Sequence, residues 1–145
     1  NLLWSETMAL NGLISCGVPG DWSVHNIGHE LTAFHNIDHA RTLAIVLPGL
    51  WKTLKEEKKG KLLQYGERVW GINSGTEEER VDAAIDKTEK FFQSLGIGTR
   101  LSDYGVKQDT IDRIVKRFED RKWLAMGDRN LTTLEVTRKA LEAQL

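Results

Sequence analysis

All four histidines of the chain, His25, His29, His35 and His39, fall within one short stretch. Imidazole binds divalent transition metals and exchanges protons near neutral pH, so a cluster of this kind points to a metal site, a proton relay or both. His25 and His29 are four positions apart, which on a helix sets them on one face with Cβ atoms about 5–6 Å apart. His39 lies fourteen positions beyond His25, a rise of roughly 21 Å along an unbroken helix, so a shared ion requires a chain reversal between them. Asn36 to Asp38 carry turn and capping chemistry at that place. Two crossed or antiparallel helices would then return His39 to His25. His35 reads as a bystander, because it sits at the expected helix end and off the face of His29.

Catalytic zinc or ferrous iron generally takes three or more protein ligands, often with a carboxylate among them, and keeps one position open. Asp21, Glu30 and Asp38 are the nearby carboxylates. Asp21 and Asp38 have a competing use as helix N-caps; if none of the three serves as a ligand, the rest of the set lies upstream of Asn1. The run His29-Glu30-Leu31-Thr32-Ala33-Phe34-His35 is not a zinc-protease motif, which needs its second histidine four residues after the first.

The elements that must position these residues read as helices throughout. A first helix carries Leu2, Leu3, Trp4, Met8, Leu10, Leu13 and Ile14 to about Cys16, where Gly17 and Pro19 stop it. A second, capped by Asp21, carries Trp22, Val24, Ile27, Leu31 and Phe34 and ends near His35-Asn36. Asp38 opens a third, which Pro48 is expected to bend or break before Trp51. Lys55 to Gly60 is an exposed helix end or turn, and Lys61 to Val69 a further helix ended by Asn73-Ser74-Gly75.

Thr76 and Glu79 form a capping box ahead of a helix that buries Val81, Ala84, Ile85, Phe91, Phe92 and Leu95, with Gly96 closing it. Gly98 to Gly105 reads as irregular. Asp109 or Thr110 opens a helix with Ile111, Ile114, Val115 and Phe118 inward. Thr132 and Glu135 repeat the capping-box spacing before a last helix that ends at Leu145. The five tryptophans, Trp4, Trp22, Trp51, Trp70 and Trp123, are expected to pack in the core or against another domain, with Trp22 one turn from His25.

The 145 residues, 40% hydrophobic and 28% charged, suit one globular domain with a real core. Twenty basic residues stand against twenty-one acidic ones, which argues against nucleic acid or an anionic membrane surface as partner. No apolar stretch approaches the roughly 18 residues of a membrane helix. A single cysteine, Cys16, cannot form an internal disulfide and fits a cytoplasmic protein. The chain opens on Asn1 rather than methionine and runs at once into helix-spaced apolar residues without a cap, so it is expected to be the C-terminal piece of a longer protein.

The residues from Gly17-Val18-Pro19 through Asp21-Trp22-Ser23-Val24-His25-Asn26-Ile27-Gly28-His29-Glu30-Leu31-Thr32-Ala33-Phe34-His35-Asn36-Ile37-Asp38-His39-Ala40 strongly resemble the second histidine motif of iron-containing alcohol dehydrogenases. The likeness is greatest to the branch of butanol dehydrogenases and NADPH-dependent aldehyde reductases. Leu43 to Pro48, Leu62 to Tyr65, Glu67 to Trp70 and Leu101 to Gly105 extend it along the chain. The resemblance implies an all-α C-terminal domain of the dehydroquinate synthase-like kind, packed against an N-terminal dinucleotide-binding domain that precedes residues 1–145.

It also implies that His25 and His39 are metal ligands and that His29 is a catalytic, non-ligand histidine near the nicotinamide and substrate. The cofactors would be a divalent ion, iron or zinc, and NAD(P)H bound mainly by the N-terminal domain. The remaining ligands, an aspartate and a histidine four residues after it, would come from a helix upstream. The implied substrates are small alcohols and aldehydes, the implied assembly a homodimer, and the fragment alone would be inactive. Consistent with this, no glycine-rich phosphate loop follows a strand in the chain.

Two other readings of the residues remain. A self-contained metal-dependent hydrolase could use His25, His29, Asp38 and His39, although Asp38-His39 reverses the His-Asp pair of helical phosphohydrolases. A non-catalytic helical module could bind metal or a partner through exposed apolar surface.

Overall fold

The reversal that the histidine spacing requires is made in three residues. In the computed structural model, which describes residues 1–145, helix α2 (Ser23–His35) ends on Asn36 in the left-handed conformation, φ 53°. Asparagine is among the few residues that adopt it readily, which makes Asn36 a natural helix terminator. Helix α3 (His39–Thr53) starts immediately afterwards, with Asp38 at its N-cap position.

Helix α3 is the organising element, packing on α2, on α5 (Glu77–Ser94) and on α7 (Leu134–Glu142). It buries Ile45, Val46 and Leu50 against Ile27 and Leu31 of α2, Leu141 of α7, and Ile111, Ile114 and Phe118 of α6 (Gln108–Asp120). The spacing of the α6 residues places all three on one helical face, as amphipathic patterning requires. A methyl group at Gly49 would strike the Ala140 carbonyl, so glycine there lets α3 lie close against α7. A smaller cluster joins Leu62 of α4 (Lys59–Trp70) to Val81 and Ile85 of α5.

The capping box at Thr76 and Glu79 is present in full. Several other boundaries differ from expectation. Pro48 neither breaks nor ends α3, which runs on to Thr53; a proline inside a helix costs about 3 kcal/mol, and packing on three neighbouring helices outweighs that penalty. Helix α6 starts at Gln108 rather than at Asp109 or Thr110. The cap of α7 is Thr133, whose hydroxyl accepts from the Val136 N–H, one residue beyond the expected Thr132. That shift follows from a two-residue hairpin, β1 (Ala125–Met126) paired with β2 (Thr132–Thr133), too short to leave a periodic strand signal. Leu101–Tyr104, expected to be irregular, forms a short 3-10 turn.

Phe91 and Leu95 are exposed, and Thr88 and Glu89 take the buried positions that extend the Val81 stripe. Helix α1 (Leu2–Leu10) is shorter than expected, followed by a 3-10 turn at Leu13–Ser15, and buries nothing. Leu2, Leu3, Trp4 and Leu10 are all at least 68% exposed. Trp4, Trp22 and Trp123 likewise lie outside the core, while Trp51 and Trp70 are half-buried. No helix is long and apolar enough to cross a membrane.

Candidate metal centre

Helix α2 presents His25 and His29 one turn apart, and α3 begins with His39 directly beside them. His25 Nδ1 lies 3.0 Å from His39 Nε2. The rings of His29 and His39 stack with centroids 4.6 Å apart. One ring nitrogen from each of the three lies within 4.8 Å of the others. His25 and His39 are half-buried and His29 is exposed. Burial, with the neighbouring imidazoles of His39 and His29, holds His25 below the ordinary imidazole pKa. It is therefore neutral at pH 7, the state in which its lone pairs are available to a cation.

The donor set fits a divalent ion. Three imidazoles converge with no carboxylate among them, so their nitrogens are not satisfied by charge pairing, and His39 Nδ1 is buried without a hydrogen-bond partner. A buried polar group left unpaired costs about 1–3 kcal/mol. Convergent imidazole nitrogens suit zinc or iron rather than magnesium or calcium, which prefer oxygen donors.

Each carboxylate considered from sequence has another task. Asp21 Oδ1 accepts from the Ser23 backbone N–H and hydroxyl, and Oδ2 pairs with Lys58 at 2.9 Å. Burial of Asp21 opposes its ionisation, but these bonds and the lysine charge overcome it and bring the pKa down to about 2. Asp21 thus anchors the start of α2, but from the position before the N-cap, which is Trp22 rather than the expected Asp21.

Glu30 is buried, with Oε1 2.6 Å from Arg121 Nη1 and Oε2 3.2 Å from Arg117 Nε; Oε2 lies off the line of a hydrogen bond and is held by charge alone. Asp38 is exposed and pairs with Arg41 at 3.2 Å. It does not cap α3 with its side chain. A hydrolase site of His25, His29, Asp38 and His39 is therefore not assembled. His35 leaves the cluster as expected, meeting Thr110 Oγ1 at 2.8 Å.

Three neighbours of the cluster escaped sequence reasoning, or were only partly legible to it. The Trp22 ring meets His25 edge-on with centroids 5.1 Å apart. Thr42 is buried and donates from Oγ1 to the His39 carbonyl at 2.7 Å, an arrangement with no sequence signal. Gly28 is buried on α2 between His25 and His29. A glycine inside a helical run, costing about 1 kcal/mol relative to alanine, was the available signal of a close approach. Beside His25, a cleft of about 530 Å³ is walled by Val24, Leu43, Leu47, Phe92 and Leu95.

Helices α2 and α3 thus bring together three histidines in an arrangement that could hold a metal ion. Residues 1–138 match the C-terminal model of the Fe-containing alcohol dehydrogenase family, and the chain belongs to that family.

It is 51% identical over 143 residues to the NADPH-dependent aldehyde reductase YqhD of Escherichia coli strain K12, spanning 99% of this chain and 37% of that protein. The crystal structure of YqhD superposes with a TM-score of 0.94 over 98% of this chain and 36% of that one. The NADH-dependent butanol dehydrogenase A of Thermotoga maritima, 27% identical, superposes with a TM-score of 0.87 over 97% of this chain and 37% of that one. The chain thus spans little more than a third of the relatives it matches, and its architecture is the helical C-terminal one of this family.

Proposed function

We propose that the chain is the metal-binding part of an NAD(P)-linked alcohol dehydrogenase or aldehyde reductase, interconverting small alcohols and aldehydes by hydride transfer. The observation that carries this reading is the meeting of imidazoles from α2 and α3 within 4.8 Å, in a family that the sequence likeness defines. His25 and His39, the half-buried pair, are the assigned ligands. A divalent iron or zinc ion held there would polarise a substrate carbonyl or lower the pKa of a bound alcohol. His29, the exposed ring of the three, would hold or release the proton at the substrate oxygen, directly or through water. His39 stacks on it, with ring centroids 4.6 Å apart.

The bare apolar side of α1 and the cleft beside His25 are the surfaces we assign to the upstream dinucleotide domain. An exposed apolar patch of this kind is the usual mark of an absent neighbour. The reading includes a homodimer and a cytoplasmic location, the latter supported by the exposed free thiol of Cys16. The fragment alone is expected to be inactive.

The test separates metal content from turnover in the full-length protein. His29→Ala should keep its metal and lose about 100-fold or more in turnover, the usual contribution of a proton-transferring side chain. Full turnover by His29→Ala, or loss of its metal, would refute the assignment of roles.

A further inference from the structure

The cluster depends on how closely α2 and α3 approach, and that approach is set at one position. A Cβ atom on Gly28 would sit 2.6 Å from Thr42 Oγ1 and 3.3 Å from Leu43 Cδ2. Contacts under 3.0 Å require a neighbour to move, and here the neighbour is a buried β-branched side chain with little rotamer freedom. Gly28 lies within α2 and is not among the positive-φ glycines, so its backbone conformation gives no reason for glycine. Only the approach of α3 does.

The atom that would be struck first also holds a metal-site residue. Thr42 Oγ1 donates to the His39 carbonyl at 2.7 Å, and His39 opens α3 with its ring 3.0 Å from His25 and stacked on His29.

We infer that Gly28 and Thr42 are positioning residues for the metal centre: the missing side chain at 28 admits Thr42, and Thr42 holds the backbone of His39 in register with His25 and His29. This rests on the proposed metal-binding role of the histidines. It adds that the ligand spacing is enforced by a contact outside the cluster, in the way that supporting groups orient ligands at other metal sites.

The test uses the full-length protein and two readouts. Cobalt(II) affinity is measured by competition with a chelator, and the ring-proton NMR shifts of His29 and His39 are recorded without metal, where stacked rings shift each other's resonances. Gly28→Ala should bind cobalt about 10-fold or more weakly, the range seen for lost supporting contacts at metal sites, and should lose the stacking shifts. Combining it with Thr42→Ala removes the struck atom and should restore the shifts in part.

Thr42→Val, which keeps the bulk but not the hydroxyl, should weaken cobalt binding, whereas Thr42→Ser should not. This pair decides the matter should Gly28→Ala fail to fold. Parent-like affinity and shifts in Gly28→Ala, or parent-like affinity in Thr42→Val, would overturn the inference. A parent protein that binds no cobalt would sink the metal-binding reading instead, and the metal-free shifts would still decide the positioning role.

Discussion

Two polar clusters sit near opposite ends of α3, at His39 and at Lys52, and they are built on opposite principles. Around Glu89, every group has its complement: Oε2 pairs with Lys52 at 2.7 Å, while Oε1 accepts from Thr99 and from Gln144. The Gln144 amide also donates to the Thr99 carbonyl. Around His39, three groups of one kind face each other and a buried nitrogen has no partner. A closed network of unlike groups holds the C-terminal segment to α3 and α5. An open set of like donors gives less internal satisfaction and is arranged for something else to enter. The first arrangement is that of a structural network, and the second that of a candidate site.

Substitutions can break this contrast from either side. The largest effect is expected for His25→Ala, which removes a ligand outright. Metal affinity in the full-length protein should fall by more than about 100-fold, beyond the loss caused by supporting residues, while the thermal stability of the metal-free form stays near the parent value. Chelator competition and a melting curve check the two halves separately.

Next is Glu89→Ala, which removes the carboxylate that Lys52, Thr99 and Gln144 share. Breaking a buried pair costs about 3–5 kcal/mol, and because Lys52 is 31% exposed the lower end, about 3 kcal/mol, is expected in urea unfolding. Metal affinity should not change; if it fell in parallel, the two clusters would not be independent.

The closed network also has a pH signature. Burial of Glu89 raises its pKa, but the hydrogen bonds from Lys52, Gln144 and Thr99 and the lysine charge reverse this and leave it below the ordinary value of 4.5. A carboxylate with a depressed folded-state pKa stabilises the fold fully above its unfolded value, and the contribution is lost as pH falls through the folded one. Asp21, lowered from 3.8 to about 2, behaves likewise. Stability should therefore drop on acidification below about pH 4.5, more gently in Glu89→Gln than in the parent. Equal slopes would remove Glu89 from the account.

The smallest effect is expected at the fourth histidine. His35→Ala loses one hydrogen bond to Thr110, about 1 kcal/mol by denaturant unfolding, with no change in metal binding. Loss of metal there would blur the boundary of the open cluster.

Much of the site was legible because it lies in short-range spacing. The four-residue step from His25 to His29 and the turn chemistry at Asn36 sufficed to predict that His39 would return, and the odd register of His35 sufficed to set it aside. The carboxylates were harder. Glu30 meets Arg117 of α6 and Arg121 just beyond its end, and Asp21 meets Lys58, partners far away along the chain that no local pattern announces. The expectation that Phe91 and Leu95 are buried failed for a related reason. Hydrophobic periodicity says which face wants cover and not whether a neighbour in this chain supplies it.

Local chemistry by itself determined most of the helices and made a reversal between α2 and α3 that gathers the histidines readable, because capping, turn residues and helical pitch act over a few positions. Tertiary structure alone decided that α3 continues through Pro48, that Thr42 of α3 packs closely over Gly28 of α2, and that the nearby acids are taken by distant cations. Those outcomes depend on which surfaces meet in space, and the free energy of packing and charge pairing there exceeds what any single residue prefers for itself.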